Sequence, residues 1–163
     1  MKANWIAGLI MLGAALVLGA LNFAIVGKES IRRDGEQIYL LLAPVDPRSL
    51  VQGDYMALRF ALVQELERGA NPAAREGETR FADVTLDAKR IASLAATEPA
   101  ARIGIRLRYR IRNGHVWLGT NAFFFEEGSA QRFSGARYGE FRVDRASGEA
   151  VLVGLCDGAL AAL

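Results

Sequence analysis

One cysteine and one histidine stand among 163 residues, and that scarcity excludes a good deal. Cys156 has no partner for an internal disulfide, so it reads as a small buried hydrophobe in a terminal strand. Zinc needs several His, Cys, Asp or Glu side chains at usable spacing, and His115 and Cys156 lie too far apart to begin such a set. No G-x-x-x-x-G-K or G-x-G-x-x-G sequence is present, so a nucleotide-phosphate loop has no support. No cofactor is called for. An excess of one charge is lacking too: the formal net charge of +2 is mixed along the chain, and no nucleic-acid partner is expected. Repeats and low-complexity tracts are absent. The length suits one domain and an anchor, and is too short for two ordinary domains.

What the chain does have is a long apolar run. Trp5 to Val26 is 22 residues without a charge, interrupted only by Asn22, enough to cross a hydrocarbon core of about 30 Å. A signal peptide has a shorter apolar region and a small-residue cleavage pair, which Ala20 and Ala24 do not form. The reading is therefore a transmembrane anchor at 1–27, a charged joint at 28–36 with Asp34-Gly35 as a turn signal, and a soluble domain at 37–163. Gly13, Ala14, Ala15, Gly19 and Ala20 permit close packing of another helix, and Asn22 offers an interhelical hydrogen bond. Counted strictly, Lys28, Arg32 and Arg33 favour a cytoplasmic carboxyl side. Glu29 and Asp34 interleave them, however, and long domains translocate largely regardless of charge.

Beyond the joint, the pattern is of strands. Gln37 to Ala43 is the first, stopped by a corner that Pro44 and Pro47 lock. Gly53-Asp54 launches a second from Tyr55 to Val63, apolar on both faces and so expected at the centre of a sheet. Residues 64–80 read as an exposed loop with one helical turn at Gln64-Glu65-Leu66-Glu67-Arg68. Phe81 to Leu86 is a strand, and Asp87 to Lys89 turns a hairpin rather than capping a helix. Arg102 to Arg112 alternates Ile103, Ile105, Leu107, Tyr109 and Ile111 with arginines, the clearest half-buried strand. Its basic face is a solvated surface, or it meets lipid headgroups or an acidic partner. Asn113-Gly114 is a strong hairpin signal, with His115 beside it exposed and idle. Ala122 to Glu126 continues after Gly119, Gln131 to Gly135 is a polar turn, and Tyr138 to Val143 pairs with Ala150 to Leu155. Some eight strands with almost no helix indicate an all-β domain, barrel-like or sandwich.

The stretch Gly53-Asp54-Tyr55-Met56-Ala57-Leu58-Arg59-Phe60 resembles the signature of the GDYXXLXY proteins, departing only at Phe60, which keeps the ring of the final tyrosine without its hydroxyl. Pro44-Val45-Asp46-Pro47-Arg48, Phe123-Phe124-Phe125-Glu126-Glu127-Gly128 and residues 136–144 are similar to the family's pattern as well. The resemblance implies a bacterial inner-membrane protein with a single anchor and a periplasmic domain, often encoded beside a multi-spanning membrane protein, its expected partner. The resemblance implies a location and no activity; the role expected from the residues is a binding or accessory module rather than an enzyme. The candidate contact surface is Asp46, Arg48, Asp54 and Tyr55 with Glu127, Arg137 and Tyr138; Arg48 would grip a carboxylate or headgroup through its planar fork. Turn chemistry accounts for the same residues structurally. Asp46 then makes an Asx turn, Arg48 pairs with Asp54 or Glu127, and Glu127 pairs across strands with Arg137.

Two rival readings stand beside this one. Pro44-Val45-Asp46-Pro47 followed by Gly53-Asp54 is similar to the box of signal peptidases, which suggests a membrane hydrolase. Pro44 occupies the nucleophile's position, though, and has no hydroxyl. Ser49 with Lys89 is the substitute dyad that a hydrolase would need. The third reading is a sensor for a small ligand or lipid.

Overall fold

The computed structural model describes residues 2–43, 51–52, 55–69, 76–95 and 104–163. The corner at 44–50, with Asp46, Arg48 and Ser49, lies outside the described residues, as does Gly53-Asp54.

Helix α1 (Lys2–Asp34) takes up the whole apolar run and continues past it. Its 33 residues correspond to about 50 Å of helix, against a hydrocarbon core of about 30 Å. Among the described residues it is the one helix long and apolar enough to span a membrane, as a single-pass anchor does. Its apolar side chains, Ile10 and Phe23 among them, are exposed. Asn22 donates to the Leu18 carbonyl of its own helix at 2.8 Å.

The charged joint is helical. Arg32 makes a two-pronged bond to Glu29 at 2.8 and 2.7 Å, and Arg32 and Arg33 occupy the last turn, where cations complement the helix dipole. Gly35 ends the helix, its N–H donating to the Ile31 carbonyl at 2.8 Å. A Cβ on Gly35 would lie 2.4 Å from that oxygen and 3.0 Å from Val143 N. Glycine thus lets the helix pass into the first strand with one intervening residue.

Ten short strands are described, all paired antiparallel within three sheets. The first sheet has the order β1 (Glu36–Leu41), β9 (Tyr138–Val143), β10 (Ala150–Cys156). The second has β2 (Val51–Gln52), β3 (Tyr55–Ala57), β8 (Ala122–Phe124). The third has β5 (Ala92–Leu94), β4 (Thr79–Leu86), β6 (Gly104–Arg112), β7 (His115–Trp117). Single bridges join them, Tyr39 to Ile91 and Leu42 to Phe60. The β9–β10 turn meets β6 through Arg108 N–H donating to the Gly148 carbonyl at 2.7 Å. Gly148 has φ +70°, and a Cβ there would lie 2.8 Å from the Arg106 carbonyl. The result is a barrel-like wrap of mostly strands around one core, in which Ile38, Leu40, Phe60, Leu107, Phe141 and Leu155 are almost fully buried.

Local chemistry explains most of the hairpins. Asn113 and Gly114 both have positive φ, +50° and +74°, the geometry that a two-residue turn between twisted strands requires. Asp87 Oδ1 accepts from the N–H groups of Lys89 and Ile91, each at 2.8 Å, so the hairpin wins over the helix. Along β6, Ile105, Leu107 and Ile111 are buried and Arg106, Arg110 and Arg112 exposed.

Three expectations need correction. The second strand does not reach Val63: β3 ends at Ala57, Phe60 bridges Leu42, and α2 (Ala61–Gly69) follows. Leu62 and Leu66, four residues apart, both face the core from this helix, while Glu65, Glu67 and Arg68 point outward. With Val63 also packed on the core, the spacing i, i+1, i+4 falls on one side of a helix, whereas a strand would turn Val63 away from Leu62 and Leu66. Second, β3 lies between β2 and β8, central as expected, but only one of its faces is covered. Met56, Leu58 and Phe60 are buried, and Tyr55, Ala57 and Arg59 are exposed. Third, the turn at Gln131 is not merely polar. It forms a 3-10 helix (Ala130–Phe133) that inserts Phe133 against Phe123 and Phe125, ring centres 5.0 and 5.4 Å apart.

Candidate functional site

The signature segment divides its residues between core and surface. Phe60 packs edge-on against Phe141 at 5.2 Å and is 2% exposed. A Cβ on Gly139 would fall 2.9 Å from the Phe60 ring. The two sequence motifs, around Tyr55 and around Tyr138, therefore meet inside the protein. A buried ring without a hydroxyl brings no polar group that needs a partner there. Tyr55 points the other way, opposite Phe124, with ring centres 5.8 Å apart.

Of the expected contact residues, Tyr55, Glu127, Arg137 and Tyr138 are described, and Asp46, Arg48 and Asp54 are not. Arg137 is exposed and brackets the start of β9: its carbonyl accepts from Leu42 N–H at 2.9 Å and its N–H donates to the Cys156 carbonyl at 2.8 Å. Tyr138 follows, half-buried, opposite Leu41 and Cys156. Both thus stand beside the end of β1. Glu127 is exposed in the turn after β8, the strand that Tyr55 pairs with. Among the described residues no ion pair joins Glu127 to Arg137, so the expected cross-strand pair is not formed.

A second polar assembly lies where α1 meets the strands. Glu36 accepts from Arg145 and, at 2.6 Å, from Arg90. The Arg145 hydrogen bond, with Arg90 adding to it, holds the Glu36 carboxyl below its ordinary value despite partial burial. Arg90 also donates to the Gln37 carbonyl at 2.7 Å. Glu149 is shared by Lys28 and by Arg108, the latter at 2.9 Å. Glu140 accepts from Gln37 at 2.8 Å and from Arg142 at 3.4 Å. In the β9–β10 turn, the Ser147 hydroxyl and the amides of Ala146 and Ser147 bond Asp144 and lower its pKa.

Next to this assembly is a groove of about 490 Å³, lined by Lys28, three arginines of β6 (Arg108, Arg110, Arg112), Trp117, Phe123, Phe124 and Glu149 with others. Arg112 lies over the Trp117 ring at 5.0 Å, and Phe124 is 74% exposed. The arginine face is plain in the sequence. Its junction partners are not, because Arg90 and Arg145 stand 54 and 109 residues from Glu36.

Other chemistry has little footing. Among the described residues no group of three His, Cys, Asp or Glu side chains is placed to hold a metal. Cys156 is buried, and burial raises its thiol pKa, which disfavours the nucleophilic thiolate. Lys89 is exposed in its hairpin turn. His115 is exposed as expected but not idle: its Nδ1 lies 3.2 Å from Glu67 Oε1, which also accepts from Val116 N–H at 3.1 Å. No curated protein and no solved structure matches this chain. A family model described as GDYXXLXY protein matches residues 17–155, and a chain matched over that much of its length belongs to that family.

Proposed function

We propose that this chain is a membrane-anchored accessory module, its strand-built domain held on the periplasmic face of a bacterial inner membrane and acting with a multi-spanning membrane protein. The supporting observation is the junction: α1 runs to Asp34, passes into β1 through Gly35 alone, and is tied to the β9–β10 hairpin by Lys28 and Glu149. A domain fastened in this way keeps one height and one angle relative to the bilayer. Such a domain offers a constant surface to a neighbour in the same membrane. The apolar side chains of α1 are exposed for lipid or for another helix, and Ala15 and Gly19, four residues apart on the helix, give it a smooth side. A periplasmic domain is compatible with the flanking cations, because long domains translocate largely regardless of charge. Tyr55, Glu127, Arg137 and Tyr138, together with Asp46, Arg48 and Asp54 of the sequence motif, form the proposed docking surface.

A mild-detergent pull-down of the intact chain from its native membrane tests the reading, beside Arg48→Ala/Asp54→Ala. A multi-spanning protein recovered with the first and lost with the second supports docking through the corner. Recovery of none with either removes the partner. The side of the membrane is read separately, by labelling Ser134→Cys in intact cells with a membrane-impermeant maleimide; absence of labelling until lysis rejects the periplasmic placement.

A further inference from the structure

We infer that the groove beside the exit of α1 binds the phosphate of an anionic membrane lipid, with Arg110 and Arg112 as its headgroup contacts. The inference rests on the membrane anchoring in the reading above but not on the protein partner. Four cations, Lys28, Arg108, Arg110 and Arg112, line the groove against one carboxylate, Glu149. Glu149 is already shared between Lys28 and Arg108. No ion pair among the described residues joins Arg110 or Arg112 to a carboxylate. Arg112 is steadied over Trp117, and Arg110 sits across the ladder from the same residue. A guanidinium so positioned presents a planar fork suited to phosphate oxygens.

Position selects the source of the phosphate. Lys28 is two residues beyond the apolar run that ends at Val26, so the mouth of the groove opens at headgroup level. Phe123 and the exposed Phe124 add an apolar wall that a lipid's glycerol and acyl carbons can cover and a small soluble anion cannot. Aromatic rings beside cations at a membrane boundary are suited to that interface.

The test uses the intact chain in detergent and native mass spectrometry, titrating dioleoyl phosphatidylglycerol, dioleoyl phosphatidylcholine and glycerol 3-phosphate. The wild type is compared with Arg110→Gln/Arg112→Gln and with a charge-matched control, Arg68→Gln/Arg132→Gln, outside the groove. Retention of phosphatidylglycerol over phosphatidylcholine by wild type and control is expected. Loss of about fivefold per groove arginine, on the order of 25-fold for the pair, is expected from the usual value of a cation at an anionic surface. Thermal unfolding verifies that each variant is folded, and if the double variant is not, Arg110→Gln alone carries the comparison with the fivefold loss. Equal retention of both lipids, or retention unchanged by the groove substitutions, overturns the inference. Groove-dependent binding of glycerol 3-phosphate without a preference for the anionic lipid overturns it as well, by making the ligand a soluble one. Recovery of no multi-spanning protein with the intact chain, with lipid retention intact, rejects the docking reading and leaves this one standing.

Discussion

Around Phe60 the domain is closed by hydrocarbon: an aromatic ring over Gly139, edge-on to Phe141, with nothing polar to satisfy. At the junction with α1 it is held by charge, through Glu36 between two arginines and Glu149 between Lys28 and Arg108. Apolar packing depends on shape and total area. Ion pairs near water contribute little to stability but fix direction. The Phe60 region therefore sets whether the domain folds, and the junction sets how the folded domain is aimed at the membrane.

Phe60→Ala should have the largest effect, lowering stability by about 3–5 kcal/mol through the cavity it leaves, read as a fall in the thermal midpoint of the solubilised chain. Helix α1, lying outside the core, should keep its helical signal. Next comes Gly148→Val, which forces a branched side chain into φ +70° and toward the Arg106 carbonyl. A cost of roughly 1–3 kcal/mol is expected, together with faster hydrogen exchange at Arg108 N–H, the donor to Gly148.

Glu36→Gln should cost about 1 kcal/mol or less, since both arginines that it pairs with are well exposed and such pairs are screened. Its effect should instead be seen in the angle between domain and helix, measured by paired spin labels on α1 and β6. The acid dependence has a definite sign. The folded-state pKa of Glu36 is lowered, so its contribution is complete above the ordinary carboxyl value of 4.5 and is lost as pH falls through the lower folded value. Spin-label distances that broaden in acid in the wild type, and are already broad in Glu36→Gln at neutral pH, sharpen the distinction. Distances unchanged in that variant contradict it. His115→Gln should be the mildest, within about 0.5 kcal/mol by denaturant unfolding, because the ring is exposed and Glu67 keeps its bond from Val116 N–H.

The division also explains what the sequence revealed. Alternation along β6, the Asn113-Gly114 turn and the last hairpin are local patterns with a period or a turn rule behind them, and each is present. The helix at Ala61 was hidden because Ala61, Leu62 and Val63 extend an apolar strand without a break. Only Leu62, Val63 and Leu66 together, at the i, i+1, i+4 spacing of a helix face, mark the change of period, and they overlap the expected helical turn. Tyr55, Glu127, Arg137 and Tyr138 can be named as candidates from their motifs, while their mutual placement depends on strand pairing across distant segments. Glu36 and Glu149 carry no local signal at all, since each acquires its partners only when remote strands and the end of α1 come together.

The passage from α1 to β1 through Gly35 makes the anchor behave as an axle. An α-helix turns about 100° per residue, so one residue inserted before Lys28 would swing the membrane-embedded face by about that angle relative to the domain, without altering a single contact in the core. A flexible tether would absorb the change. Here any rotation imposed on the helix within the bilayer becomes an equal rotation of the groove and of Tyr55, so the chain converts the azimuth of its anchor into the heading of its surface.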